Sequence, residues 1–441
     1  MMTPDTILYK NKHKWIEDIP KDWSLSRIRF VLNTYTGNSL NEEEKDIFET
    51  FNPNDIPYVS SKDISLLEQT VNYNNGLRIP KNNTKLKISP KGSFLMVVEG
   101  GSSGKKIVFL EEDVCFVNKL CSFNSPDINK YSYYYFQSTQ FKQEFDLYLN
   151  GLIGGVSLSS IKDLMIPVPP ENIKSKIVSY LDKRTKEIIS LIKRLEKKIK
   201  LLEERKESLI HETITKGLNS NIEMKETPFE WIDKIPHNWE VKRLRFLGKL
   251  SNGLSKDSDF FGRGNPFYTY GDVYNNTSLP EIPTGLVESD EQDIQKCSVE
   301  RGDIFFTRTS ETTDDIGITS VCLKTIPNST FSGFVIRFRP FDNTFLPEYS
   351  KYIFQNNFKK MFIDSQMNLV TRSSLSQIIL SNTPVIYPTN HDEQREIIEY
   401  LDLETKKIDK TIKIDKRLID LLKKYKTSLI SETVIGKTVI K

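Results

Sequence analysis

Three stretches of the chain hold residue types that could do chemistry, and their spacing decides what that chemistry is. GGSSGKK at 100–106 has the glycines and lysines of a phosphate-cradling loop. The GxxxxGK[ST] pattern needs a glycine five positions before Gly104 and a hydroxyl after the first lysine, and Glu99 and Lys106 stand there instead. Asn265-Pro266-Phe267-Tyr268 comes near the Asn-Pro-Pro-Tyr used in methyl transfer to adenine, but the second proline is missing. Phe261-Gly262-Arg263-Gly264, directly before it, looks faintly like a cofactor loop, yet those two parts should be separated by intervening strands and helices. His13, His211, His237 and His391 are scattered, and Cys115, Cys121, Cys297 and Cys322 form no CxxC pair. No triad or metal site emerges, so the chain is expected to be non-catalytic, with no cofactor of its own.

What remains is binding chemistry on loops. EGGSSGKK (99–106) follows the strand-like FLMVV (94–98), and the corresponding RTSETTDD (308–315) follows DIFFT (303–307). Both loops carry donors and acceptors that could face phosphates and base edges. An ordinary solvent-exposed hairpin explains any one of these residues equally well.

The loops sit in a chain that repeats itself. Residues 15–30 read WIEDIPKDWSLSRIRF and residues 231–246 read WIDKIPHNWEVKRLRF, identical at eight of sixteen positions. All four tryptophans (Trp15, Trp23, Trp231, Trp239) lie here, and they are expected to pin these segments against the long helices. YLDKRTKEI (180–188) returns as YLDLETKKI (400–408), and SLIHET (208–213) as SLISET (428–433). Between these anchors the likeness thins. Tyr58-Val59 resembles Tyr268-Thr269, KGSF (91–94) resembles RGDI (301–304), and Leu158-Ser159 and Pro167-Val168 resemble Leu375-Ser376 and Pro384-Val385. The order is kept while the offset drifts, as one duplication with loop insertions would leave it.

Each half thus has a Trp-Pro-Trp opening, a variable block and a long helix. The blocks mix strand patterns such as CFVNKLCSF (115–123) and FVIRF (334–338) with helical ones at 131–149 and 347–364. Their aromatic stripes (Tyr134, Phe141, Phe145, Tyr352, Phe354, Phe358, Phe362) read as core.

In the first long helix Ile188, Ile192, Leu195, Ile199, Leu202 and Leu209 recur in steps of four and three, with Lys206 in one seam position. The second gives Ile408, Ile412, Asp415, Ile419, Leu422, Lys426 and Leu429. Asp415 replaces Leu195 and should weaken its layer unless a basic residue of the partner helix reaches it. Prolines 167, 169 and 170 precede the first helix, and Pro384 and Pro388 the second. Helices of about 35 to 40 residues reach roughly 50 to 60 Å, too long for one block to bury, so the two copies are expected to pair. A two-fold relation between the halves would make the pair antiparallel. Residues 171–217 hold thirteen Lys/Arg against eight Asp/Glu, which a solvated helical face explains.

The 441 residues suggest about three domains. The net charge of +3, from 62 basic and 59 acidic residues, is too balanced to name a partner. No apolar signal segment and no run of about 18 apolar residues appears, so a cytoplasmic protein away from membranes is expected.

MKETPFEWIDKIPHNWEVKRLRF (224–246) resembles the segment that opens the second half of type I restriction-modification specificity subunits. Ile166-Pro167-Val168-Pro169 leading to YLD (180–182) is similar to their central region, and EQREIIEYLD (393–402) repeats it more closely. Where that copy has Glu393-Gln394, the first has Asn172-Ile173. The resemblance covers nearly the whole chain. It implies an α+β fold: two pseudo-symmetric mixed α/β target-recognition domains separated by two long helices packed as an antiparallel coiled coil. The domains would be 1–165, with the opening segment; 166–222, the central helix and linker; 223–383, the second recognition domain; and 384–441, the C-terminal helix.

The resemblance further implies that each domain reads one half of an asymmetric, interrupted site on double-stranded DNA, while the helices set the gap. The helices would also dock two modification (methyltransferase) subunits that bind S-adenosylmethionine. Restriction subunits, using ATP and Mg²⁺, can join. The candidate DNA contacts are Lys62, Arg78, Ser102, Ser103, Lys105 and Lys106 in the first half. In the second they are Arg263, Tyr270, Arg308, Thr309, Ser310 and Arg372. Arginine suits guanine and lysine suits phosphate. The competing reading is a coiled-coil scaffold whose two domains bind something other than DNA. Sequence-specific DNA binding beside a methyltransferase discriminates between the two.

Overall fold

The computed structural model describes residues 19–50, 52–149, 154–219, 221–228, 234–308, 316–354 and 375–440. Two compact units form, one from residues 1–197 with 415–441 and the other from 198–414. Each unit takes a variable block together with a stretch of both long helices.

In the first unit, a four-stranded antiparallel sheet runs in the order Asn33–Thr36, Leu120–Asn124, Phe94–Val97, Ile107–Phe109. A second sheet is ordered Arg78–Ile79, Ile56–Val59, Val114–Phe116, Ile88–Ser89, with its two central strands parallel. Phe94, Leu95 and Met96 are completely buried because the central strand is covered on both faces. Phe94 meets Phe123 and Phe136 under the helices, while Leu95 packs with Val59 and Phe116 of the second sheet. The second unit repeats this order with Gly248–Asn252, Val335–Pro340, Ile304–Thr307 and Thr319–Val321, and a partner sheet built on Phe261–Tyr268. The expected core aromatics Tyr134, Phe141, Phe145, Tyr352 and Phe354 are all buried, and Phe358 and Phe362 lie outside the described residues.

Strand pairing corrects four of the sequence alignments between halves. Val59 pairs with Phe116 and Tyr268 with Phe331 in the same parallel arrangement, so Val59 matches Tyr268, one residue from the sequence alignment. Val98 and Arg308 accept from Val156 and Leu375 respectively, which matches Val98, not Glu99, with Arg308. Ser157 and Ser376 are the equivalent helix caps, two residues from the Leu-Ser match. Arg27 faces Met165 and Arg243 faces Pro384, so Pro167 matches Ile386. The KGSF and RGDI match stands, with Gly92 and Gly302 both at positive φ (85° and 98°) before the central strand.

The long helices span Glu171–Lys216, 46 residues, and His391–Thr433, 43 residues, longer than expected because they begin within three residues of Pro170 and Pro388 and stop only within three residues of Gly217 and Gly436. Their direction is antiparallel within each unit. In the second, Lys206 bonds Asp409 at 2.7 Å, and Ile210 and Ile214 share a core with Leu401 and Ile397. In the first, Lys193 and Lys426 reach adjacent residues of one turn, Glu68 and Gln69, while Asp182 and Val434 receive Tyr134 and Tyr131 of one helix. One helix number rises as the other falls. Ile188, Ile192, Leu195, Ile199, Ile408, Ile412, Ile419 and Leu429 are buried, with Leu202, Leu209 and Leu422 half-buried. Asp415 is buried too, at 5% exposure.

The repeated motifs now have physical roles. The aspartate of each YLD docks a block helix: Asp182 accepts from Tyr134 at 2.5 Å and pairs with Lys130, and Asp402 accepts from Tyr352 and pairs with Lys351. Each helix is followed within three residues by a glycine at positive φ that leaves room for a tryptophan, Gly217 (φ 74°) against Trp239 and Gly436 (φ 78°) against Trp23. Trp239 also donates to Glu393 at 2.7 Å. Trp15 and Trp231 lie outside the described residues. The helical register set by Ile177 and Ile397 places Ile173 and Lys174, rather than Asn172 and Ile173, where the second copy has Glu393 and Gln394. Gln394 is fully buried and fully bonded. It accepts from the Leu346 N–H and donates to Thr344 and Pro388 carbonyls.

Candidate nucleic-acid interface

In each unit the strand Ile56–Val59, or its counterpart ending at Tyr268, runs into a tight turn closed by a Ser/Thr-x-x-Asp cap. Asp63 accepts from the Ser60 N–H and hydroxyl at 2.8 and 2.7 Å, and Asp272 accepts from the Thr269 N–H and hydroxyl at 2.8 and 3.0 Å. Such a cap holds the backbone of the two intervening residues rigid. Those residues are Ser61 and Lys62 in one unit, and Tyr270 and Gly271 in the other. Lys62 is exposed. Tyr270 stacks on Tyr274 at 5.8 Å and 22°, and Tyr274 is 38% exposed. Sequence reasoning missed Tyr274. The i, i+4 spacing of two tyrosines behind the cap was the signal.

The loop after the central strand meets this turn in the first unit, where the Lys106 ammonium donates to the Ser61 carbonyl at 2.7 Å. The loop is stapled at its base, with Gly100 donating to Gly154 at 2.8 Å and Gly104 to Val97 at 2.8 Å. Ser102 and Lys105 lie on its outer side, and Lys105 donates to the Gly101 carbonyl. The structure therefore brings Lys62, Ser102, Lys105 and Lys106 onto one loop cluster. It does not bring Ser103 there as a surface donor. Ser103 is 7% exposed because the loop folds back beneath itself, with Gly104 against Phe145.

Arg78 is placed elsewhere. It stands on an adjacent strand opposite Pro57, and its guanidinium donates to the Asp55 and Tyr73 carbonyls, closing a loop. Arg263 is likewise engaged, paired with both oxygens of Glu288 at 2.7 and 3.3 Å at the far end of the strand that leads to Tyr270. Arg308 follows the central strand Ile304–Thr307 and is half-buried, with Phe334, 64% exposed, bonded to its backbone N–H. Thr309, Ser310 and Arg372 lie outside the described residues.

An ion network holds the opposite end of that central strand. Asp303 opens the central strand and accepts from Arg339 at 2.6 Å through each oxygen, while Glu300 takes a third arm. Burial raises the Asp303 carboxyl above the usual range despite that partner, and burial lowers Arg337 beside it. In the first unit Ser93 occupies the same place, in a hydroxyl chain with Ser89 and Ser122 at 2.7 Å. The same register is thus held by neutral groups in one half and by charges in the other.

Both chemical lures dissolve in the fold. GGSSGKK leads into the strand Ile107–Phe109 and does not open a helix, as a phosphate-cradling loop of that pattern would. Gly264 is glycine because a Cβ would meet the Val287 carbonyl at 2.6 Å, and Asn265 donates to Ser289 across the same hairpin.

Two units of one topology, each presenting a capped turn and a central-strand loop whose side chains differ, define a duplicated recognition protein. The family model for the type I restriction modification DNA specificity domain matches twice, at residues 20–201 and 236–424, and the chain belongs to that family. It is thereby a targeting rather than a catalytic component. The chain is 22% identical over 379 residues to the type I restriction enzyme EcoKI specificity subunit of Escherichia coli K12, covering 81% of this chain and 75% of that one. It is 25% identical over 278 residues to the MjaIX specificity subunit of Methanocaldococcus jannaschii, 56% of this chain and 58% of that relative, so less than two thirds of that relative's length is spanned.

Among solved structures, a chain from work on complex assembly and conformational transition of the type I R-M system gives a TM-score of 0.72 at 14% identity, covering 95% of this chain and 99% of that one. The HsdS subunit of Thermoanaerobacter tengcongensis gives 0.50 at 15% identity, covering 95% and 98%. These likenesses show the fold.

Proposed function

We propose that this chain is the specificity subunit of a type I restriction-modification complex. Each unit reads one half of an interrupted, asymmetric DNA site, and the helix pair fixes the gap and carries two modification subunits. S-adenosylmethionine, and ATP with Mg²⁺ where restriction subunits join, belong to those partners, and the complex works in the cytoplasm. The observation that carries the reading is the duplication itself. The frame (YLD aspartates, glycine–tryptophan helix ends, capped turns) is the same in both halves, while the side chains on the capped turns are Ser61-Lys62 in one and Tyr270-Gly271 in the other. A protein reading two different half-sites needs a common frame and unlike tips. Within the tips, Lys62, Ser102, Lys105 and Lys106 are assigned to the first half-site, and Tyr270, Tyr274 and Arg308 to the second.

The test is single-molecule sequencing of genomic DNA from cells co-expressing this chain with its modification subunit. The expected result is a new N6-methyladenine mark at one gapped, asymmetric motif that is absent without the chain. Co-purification of the two proteins with no new mark would favour the scaffold reading instead.

A further inference from the structure

The duplication keeps one feature that neither core needs. Ile28 and Leu244 are completely buried, yet two residues on, Phe30 and Phe246 are 75% and 63% exposed. Both belong to the same Arg-x-Arg-Phe sequence, on one turn of helix after the strand that pairs with the lead-in to a long helix. The arginines are held in place. Arg27 and Arg29 pair with Asp163, and Arg245 donates to Asn382 at 2.7 Å and lies 4.8 Å over the Phe246 ring. In the first unit Phe30 lines a surface groove with Arg29, Asn33, Asn124 and Lys162.

A phenylalanine ring left in water gains nothing for folding. Keeping it exposed twice, at the last position of a repeated segment whose buried members serve the core, points to a contact made twice. Loops that read unlike half-sites must differ. A surface that stays the same meets something that is the same on both halves, either the DNA backbone or two copies of one protein. A phosphate contact would put cations outermost, whereas here Arg27, Arg29 and Arg245 are engaged at Asp163 and Asn382 and a phenylalanine ring, 75% and 63% exposed, takes the outer place. Charge is kept as well. Arg27, Arg29 and Lys162 against Asp163, and Arg243 and Arg245 beside the neutral Ser381 and Asn382, both leave +2 around the ring.

We infer that Phe30 and Phe246 anchor two equivalent docking sites for two copies of one partner protein, each offering an apolar socket with an acidic rim. On the reading of this chain as a specificity subunit, on which the inference rests, that partner is the modification subunit.

The test uses the full chain co-expressed with its modification subunit, as wild type, Phe30→Ser, Phe246→Ser and the double variant. Native mass spectrometry reads stoichiometry, and titration reads affinity. Each single variant should weaken one site on the order of 30-fold, the loss expected of a buried aromatic anchor, and retain one copy. The double variant should retain none. Melting temperatures and DNA binding by the chain alone should match wild type. Should either serine variant melt early, Arg245→Glu offers a second probe, expected to empty the second site alone. A double variant that still carries two copies overturns the inference and leaves the specificity reading standing. So does intact stoichiometry with weakened DNA binding, which would assign the rings to nucleic acid. A wild-type chain that binds no modification subunit overturns that reading and the inference together.

Discussion

Lys206 and Lys426 occupy the same seam position of the two helices, and the structure gives them opposite energetics. Lys206 is paired with both oxygens of Asp409 at 2.7 and 2.9 Å, in a partly exposed setting. The Lys426 ammonium donates to the Gln69 side-chain oxygen at 2.8 Å, a neutral partner, and burial pushes its pKa down from the usual 10.5 to about 8. At 1.36 kcal/mol per pH unit, that drop means the charged form costs the fold roughly 3 kcal/mol. The sign follows from proton binding. Between about pH 8 and 10.5 the unfolded chain holds the proton and the folded one does not, so stability rises with pH across that window. Below pH 8 the penalty is present in full, and above 10.5 it is gone.

Lys426→Met keeps the stem and removes the charge, at the expense of one hydrogen bond worth about 1 kcal/mol. It should therefore stabilise the first unit by about 2 kcal/mol at pH 7, with the gain over wild type falling away by pH 10.5. Lys206→Met should lose its exposed ion pair and change stability by about 1 kcal/mol or less. Calorimetric unfolding of the three proteins at pH 7, 9 and 10.5 measures this. A Lys426→Met that destabilises at pH 7, or whose gain is the same at every pH, would refute the argument.

Gln394→Leu should cost about 2 to 4 kcal/mol, because it strips partners from one buried N–H and two carbonyls, and calorimetry of the second unit reads the loss. Asp182→Ala should loosen the Asn129–Tyr135 helix from the long helix by about 1 to 3 kcal/mol. Its mark would be faster hydrogen exchange at those amides with the opposite unit unchanged. Arg308→Ala should weaken binding to the cognate site by about 1–3 kcal/mol and relax specificity at one position if the guanidinium reads a base. Unchanged binding to the motif found by sequencing removes it from the interface.

The long helices and their pairing were legible because a seam of Ile188, Ile192, Leu195 and Ile199 is a local pattern, fixed by the helical period alone. Register between the halves was legible only where the chain repeats outright. Val59 is aligned with Tyr268 by their pairing to Phe116 and Phe331, partners more than fifty residues away, which no local likeness contains. Loop chemistry was the least legible. Lys62 and Ser103 look alike as polar tip residues, but the loop closes over Phe145 and buries one of them. Arg78 and Arg263 read as free donors, whereas Tyr73 and Glu288 take their guanidinium arms at positions that only the folded backbone sets.

The glycine at the end of each long helix carries a consequence for how the chain is threaded. Gly217 ends against Pro236 and Trp239, the opening of the second block, and Gly436 ends against Pro20 and Trp23, the opening of the first. The C-terminal end of each long helix therefore meets a block opening by the same contact. The same junction thus occurs twice, once at Gly217 with Trp239 and once at Gly436 with Trp23. A gene cut between the codons for Gly217 and Lys234, and rejoined by a short linker from Gly436 to Pro20, would encode a protein with every contact described above in place.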